Sequence, residues 1–183
     1  MWKASLVKSP DELLQILTLQ KQNLKDRVSQ SEKNEQGFVT LEHTLPILEK
    51  MHAVAPSVII KENDKVVAYA LTELPECRHL VPELDPMFEL LNRLTWNDKP
   101  LESFRYYVMG QICVAKEFRG KGLFGALYLH HREVYQSRFD LFITQISLSN
   151  PRSIRAHEKV GFKTIHRHRD HKDDWLVVAW NWE

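Results

Sequence analysis

Residues 106–128, YYVMGQICVAKEFRGKGLFGALY, run from an apolar strand through a short polar loop into a helix. The strand, 106–114, is rich in aromatic and β-branched residues. Arg119-Gly120-Lys121-Gly122 then leads into a helix with apolar repeats at Leu123, Leu127, Val134 and Tyr135. A helix start leaves N–H groups unpaired and carries the positive end of the dipole, so it favours an anion. Gly120, Gly122 and Gly125 remove side chains that would hold a ligand off that backbone. Arg119, Lys121 and Lys116 add positive charge, and phosphate is the natural guest. GKGLFG formally satisfies the dinucleotide pattern GxGxxG, but several polar residues separate Val114 from Gly120. The following strand also ends in Ser147-Leu148-Ser149, with Asp140 at its start rather than an acid at its end. A Walker A reading fails because Lys121 is followed by Gly122.

Outward from this stretch, three polar–proline pairs punctuate the chain. Ser9-Pro10 opens a capping box with Glu12, and Leu13, Leu14, Ile16, Leu17 and Leu24 carry an amphipathic helix to about Lys25. Asp85-Pro86 starts a short helix with Phe88, Leu90, Leu91 and Leu94. Asn150-Pro151 starts another, with Ile154, His157 and Val160 before Gly161 stops it. Leu41, Leu45, Leu48 and Met51 predict a helix over 40–51. Strands are expected at 2–7, 57–61, 66–71, 106–114, 141–146, 162–166 and 175–182. Asn63-Asp64 marks a hairpin turn, and the polar residues 169–172 mark another. Hairpins beside helix crossovers imply an α/β fold, a mixed central sheet of about seven strands with helices on both faces. No repeat or linker divides residues 1–183, so one domain is expected. Residues 75–104 exceed what a hairpin needs and read as an insertion between the third and fourth strands, placed to lid a site. Glu73, Glu76, Glu83, Asp85 and Glu89 would give that lid an acidic lip suited to a cationic amine.

The 183 residues hold 25 Lys+Arg against 24 Asp+Glu, a formal net charge of +1, with 43% hydrophobic and 27% charged residues. Such a balance offers no general basic surface to nucleic acid, and the composition is globular rather than disordered. No apolar run approaches the ~18 residues of a membrane span. No basic-then-apolar leader opens the chain, so a cytoplasmic location without a membrane partner is expected. Cys77 and Cys113 form neither a disulfide framework nor a CxxC pair. His166, His168 and His171, among Asp170, Asp173 and Asp174, read as a charged hairpin in water rather than a metal site. Trp175, Trp180 and Trp182 read as sheet core or as the face of a homodimer.

RGKGLFGALY resembles the acetyl-CoA loop of the GNAT superfamily of N-acetyltransferases, Q/R-x-x-G-x-G/A. Arg119 and Gly122 match its first two fixed positions, while Phe124 stands at the third and Gly125 follows. Downstream, Asn150-x-x-Ser153-x-x-x-His157-x-x-x-Gly161-Phe162 is similar to the family's N-x-x-A/S-x-x-x-Y-x-x-x-G-F segment. The likeness is close over residues 106–168 and elsewhere rests on the order of elements.

The resemblance implies that the fourth and fifth strands splay and that the pantetheine arm of coenzyme A enters the gap. Acetyl-CoA would be the cosubstrate, with no metal. The backbone of Ile112, Cys113 and Val114 would pair with the arm, and the diphosphate would sit on the amides of Arg119, Gly120, Lys121, Gly122, Leu123, Phe124 and Gly125. Asn150, Ser153 and His157 would approach the arm from the next helix. The implied reaction is direct acetyl transfer to a primary amine of a small molecule or a peptide N-terminus. The Val114 N–H would serve as oxyanion donor and His157 as acid or sulfur contact. Glu73 is the candidate base, and Gln111 could orient a water. A non-catalytic acyl-CoA-binding module of the same fold is the alternative.

Overall fold

Two Asn-Asp pairs build tight hairpins in the same way. Asn63 and Asp64 take φ of 49° and 62°, and Asn97 and Asp98 take 48° and 61°. Two successive positive φ values are the type I′ geometry that matches the twist of paired strands. The first turn joins β2 (Val58–Glu62) to β3 (Lys65–Glu73), as expected. The second joins a small hairpin, β4 (Thr95–Trp96) and β5 (Lys99–Pro100), which the sequence reading passed over although it carries the same dipeptide.

The computed structural model describes residues 2–31, 33, 38–171 and 173–183. Its main sheet adds β1 (Ala4–Leu6), β6 (Tyr106–Val114), β7 (Leu141–Ser147), β8 (Lys163–Arg169) and β9 (Asp174–Trp180). The seven strands run in the order β1-β2-β3-β6-β7-β9-β8. Only β6 and β7 are parallel; every other neighbouring pair is antiparallel. This is the mixed sheet of seven strands that the sequence led us to expect.

Helices cover both faces. Against one face lie α4 (Leu123–Tyr135) and α5 (Pro151–Val160), over a cluster that includes Tyr107, Phe142, Val178 and Trp180. The other face is covered by α1 (Pro10–Gln22) and α2 (Leu45–Val54), with Ile16, Leu48, Ile59 and Tyr69 between them. Beside these, α3 (Asp85–Leu91) and the small hairpin pack Phe88, Leu91 and Trp96 onto Val108, Ile143 and Val177. Trp180 and Trp175, 2% and 9% exposed, are therefore core residues.

The capping box at Ser9 and Glu12 forms as read. α2 starts at Leu45 rather than near Thr40, because Pro46 lies in its first turn. A helix begun at residue 40 would put Pro46 in its interior, where the missing N–H and the ring break it. α1 ends at Gln22, earlier than Lys25, where the C-cap residue Asn23 turns its side-chain amide back to the carbonyl of Leu19.

Gly161 stops α5 with φ of 122°. A Cβ there would lie 2.8 Å from the carbonyl oxygen of Glu183 and 3.1 Å from Trp180 Nε1. Gly161→Ala is expected to cost about 2–4 kcal/mol, from the glycine-only backbone and the crowding together. A thermal melt should show Tm lowered by roughly 5–15 °C; an unchanged melt would contradict this account.

Candidate active site

The site begins with one surplus residue. Ala70 pairs with Ile112 and Thr72 with Met109, so Leu71 faces both Gly110 and Gln111. Such a bulge bends its strand and increases the local twist. β6 and β7 pair only through Tyr106–Leu141, Tyr107–Phe142 and Val108–Ile143, and the pairing stops just before the bulge. Beyond it β6 holds to β3 and β7 to β9, leaving their facing edges apart. The Thr144 hydroxyl, donating to the Met109 carbonyl at 3.1 Å, closes the apex of the gap.

Antiparallel pairing alternates hydrogen-bonded and open residue pairs. Ala115 N–H donates to Val67 O at 2.8 Å, which fixes the phase. Cys113 is then bonded to Tyr69, while the backbone groups of Ile112 and Val114 point into the gap. The expectation for Ile112-Cys113-Val114 thus narrows to two residues. Burial pushes the Cys113 thiol up to about 12, so it serves as a packed apolar group.

On the α4 and α5 side the gap opens into a cavity of about 590 Å³. Of the residues expected to hold the cosubstrate, Ile112, Cys113, Val114, Arg119, Gly120, Gly122, Leu123, Phe124, Gly125, Asn150 and Ser153 line it, and Lys121 and His157 do not. Gly120 and Gly122 take φ of 75° and 85°, which turns the loop into α4. The first bond inside the helix runs from Ala126 N–H to Gly122 O. The N–H groups of Gly122, Leu123, Phe124 and Gly125 therefore lie outside the helix ladder, an anion seat. Phe124 departs from the family pattern without blocking that seat. Its ring packs edge-on to His157, with centroids 5.0 Å apart, and leans on Tyr128 at 5.2 Å.

Two predicted cations behave differently from the reading. Arg119 spends its charge inside the protein: its guanidinium donates to Val114 O and to Asn23 Oδ1, tying the end of β6 to the C-cap of α1. Lys121 lies outside the described lining, its carbonyl accepting from Trp2 Nε1 and its ammonium 5.2 Å from the Phe118 ring centroid. The positive charge at the cavity comes also from Arg132, Arg152 and Lys159, which the sequence reading missed. Arg152 and Lys159 lie in the second matched segment, three residues before Arg155 and two before Gly161, and their charge was the available signal.

Across the gap lies a second cleft of about 80 Å³, lined by Thr40, Gly110, Gln111, Thr144, Gln145, Ser147, His157 and Trp175 among others. Phe38, Val39, Ile112, Asn150 and Ser153 border both cavities. Asn150 is also the N-cap of α5, its side chain accepting from Ser153 N–H.

The four expected catalytic residues are not brought together as one set. His157, 1% exposed, sits with Nδ1 2.7 Å from the Ser153 carbonyl and Nε2 2.6 Å from the Tyr128 hydroxyl. A carbonyl only accepts, so the ring proton is on Nδ1 and the Tyr128 hydroxyl donates to Nε2. Burial lowers its pKa to about 4, and the imidazole is neutral. This corrects the reading of His157 as a general acid, since its one ring proton is committed to Ser153. Gln111 borders the cleft, but its carboxamide accepts from Tyr69 OH and donates to Leu41 O, so it braces the bulge instead of orienting water.

Glu73 lies behind Gly110 and lines neither cavity; it is 0% exposed, and neither oxygen has a partner among the described residues. Burial raises its pKa to about 8. The expected base is thus a buried acid behind the strand. Residues 75–104 do not lid the cleft either. None of them, Glu76, Glu83, Asp85 and Glu89 included, lines either of these two cavities. The segment packs on the sheet beside the site because Phe88, Leu91 and Trp96 bury there. The Val114 N–H, expected as the oxyanion donor, points into the gap.

No helix among the described residues is long and apolar enough to cross a membrane. No curated protein matches the sequence. Solved structures share the fold: an acetyltransferase of the GNAT family from Streptococcus agalactiae is 16% identical, covers 99% of this chain and 95% of its own, with TM-score 0.67. The ribosomal-protein-S18-alanine N-acetyltransferase from Escherichia coli is 14% identical over 98% and 92% of the two chains, with TM-score 0.63. A third, yncA from Salmonella typhimurium with its cofactor acetyl-CoA, is 13% identical over 100% and 95%, with TM-score 0.64. Residues 22–162 match the model of the acetyltransferase (GNAT) family, and the chain belongs to that family.

Proposed function

We propose that this protein transfers an acetyl group from acetyl-CoA to a primary amine. One juxtaposition carries the reading: a glycine-mouthed cavity and a polar cleft meet at a gap into which the Val114 N–H points. The cavity fits the cosubstrate. The amides of Gly122, Leu123, Phe124 and Gly125 suit a diphosphate, and the open edges of Ile112 and Val114 suit the amides of an extended arm. Arg132, Arg152 and Lys159 supply counter-charge at the cavity. Acetyl-CoA supplies an activated thioester at the gap.

The Val114 N–H donates to the acyl oxygen as negative charge develops on it. Asn150 and Ser153, on the border of both cavities, hold the gap open from the α5 side. His157 acts as a positioning residue that fixes Tyr128 and the first turn of α5. The amine enters from the cleft as the neutral base, and its nitrogen bonds to the acyl carbon. The carbon–sulfur bond breaks, and coenzyme A leaves as the thiolate, which takes up through water the one proton that the nitrogen loses.

Titration calorimetry with acetyl-CoA, followed by thiol release with a panel of amines, tests the reading. We expect binding, and thiol release above the amine-free background. Binding without release to any amine would favour a sensing module instead, and no binding at millimolar acetyl-CoA would remove both readings. A Cβ on Gly125 would meet nothing within 4 Å, so Gly125→Trp should fold normally with its ring in the cavity. Acetyl-CoA affinity should drop by about 30-fold or more, roughly 2 kcal/mol. Unchanged affinity would place the ligand elsewhere.

A further inference from the structure

Gln145 Oε1 and Trp175 Nε1 line the acceptor cleft, and both are buried without a hydrogen-bond partner among the described residues. Leaving such groups unpaired is costly, so native structures usually pair them or reserve them for a ligand. The other unpartnered atoms, on Gln20, His43, His52, Glu73 and His168, belong to residues that line neither cavity. One of the two cleft atoms accepts and the other donates. Gln145 pairs with Val177 and Ser147 with Trp175, so Gln145 and Trp175 are diagonal neighbours on one face of β7 and β9. Diagonal neighbours have their α-carbons about 7–8 Å apart, so both side chains rise from one patch of the cleft wall, and together they offer one acceptor and one donor, the complement of an amide's N–H and C=O.

We propose, building on the transferase reading, that the acceptor cleft recognises an amide unit adjacent to the amine, and that the acceptor is the α-amino terminus of a peptide. Gln145 takes the substrate N–H and Trp175 donates to the substrate carbonyl.

Size and charge point the same way. At about 10–15 Å³ for each water-sized position, the cleft of about 80 Å³ takes a handful of heavy atoms, enough for an amine, its α-carbon and one amide. No carboxylate, lysine or arginine lies in its described lining. A polyamine would bring further charges into a cleft with nothing to pair them. A lysine-type ammonium, with its pKa near 10, would find no carboxylate there to take its proton, whereas an α-ammonium near 8 loses its proton readily to water.

The test uses the full chain with saturating acetyl-CoA and measures thiol release. Acceptors are a tri-alanine peptide, an N-terminally blocked lysine peptide, spermidine and 3-aminopropionitrile, an amine of α-amine-like basicity that carries no amide. The unmodified chain should turn over tri-alanine and not the blocked lysine peptide. Gln145→Leu and Trp175→Phe each remove one hydrogen-bonding atom and keep the bulk. Each should lower kcat/KM for tri-alanine at least tenfold, change that for 3-aminopropionitrile less than twofold, and leave acetyl-CoA affinity unchanged in calorimetry. Comparing each substitution's effect across acceptors cancels their different basicities. Equal losses for both acceptors, or turnover of spermidine and not tri-alanine, would overturn the proposal. If Trp175→Phe fails to fold, Gln145→Leu decides alone. Acetyl-CoA binding with no thiol release to any acceptor would instead overturn the transferase reading on which this rests.

Discussion

Val114→Pro is expected to lower kcat by about 10²–10³ while acetyl-CoA still binds. Proline deletes one N–H, and at residue 114 that N–H is the one the ladder leaves unused. The neighbouring bond from Ala115 N–H to Val67 O shows where pairing to β3 is made, and Val114 lies between such bonds. Proline is tolerated at a strand edge whose N–H side is free, and the residue before it, Cys113, is already extended. Arg119 can still donate to the carbonyl of residue 114. What disappears is the proposed donor for charge on the acyl oxygen, and removing one such donor elsewhere costs about that factor. Single-turnover rates and calorimetry on the same variant check it. A kcat within threefold of the original would show that another group stabilises that charge.

Stability should fall steeply below pH 6.5, because three buried histidines are held neutral by the fold. Burial lowers the pKa of His43 to about 4, of His131 to about 3 and of His157 to about 4. Above 6.5 these residues are neutral in both folded and unfolded chains, and their contribution is complete. As pH drops, the unfolded chain takes up protons that the folded one refuses. Each histidine then costs about 1 kcal/mol per pH unit until the folded value is reached. Glu73 has the opposite sign. Its folded pKa, raised by burial to about 8, keeps a proton that the unfolded carboxyl loses near 4.5. Its contribution is complete below 4.5 and is lost as pH rises toward 8. Three groups outweigh one on the acid side, so calorimetric Tm should peak near pH 6–7, drop sharply toward 4.5 and decline gently toward 8. A Tm flat between 5 and 7 would show that these rings find protons or partners in the fold.

Local signals in the sequence carried most of the fold. Ser9-Pro10, Asn150-Pro151 and Asn63-Asp64 each fix backbone geometry within four residues, and each element began where they placed it. The glycine loop was legible for the same reason, since Gly120 and Gly122 are needed for their own φ. The bulge had its own sign, a glycine inside the apolar run 106–114, which weakens a strand and often marks such a site. Roles that depend on distant partners were not legible. Nothing near Arg119 says that Asn23 will hold its guanidinium, nor does anything near His157 say that Tyr128 will occupy its free nitrogen. Glu73 looked like a base because its burial behind Gly110 depends on the register between two strands.

That register has a further consequence. Had β6 been one amino acid shorter between Met109 and Ile112, its partners on either side could have zipped along their whole length. The sheet would then be a sealed wall, with a nucleotide-shaped basin on one side and a shallow polar dent on the other. Reactants could occupy both and never touch. On the proposed reading, passage between them depends on a single uncompensated peptide unit, and deleting it is expected to abolish transfer without removing any group that performs it.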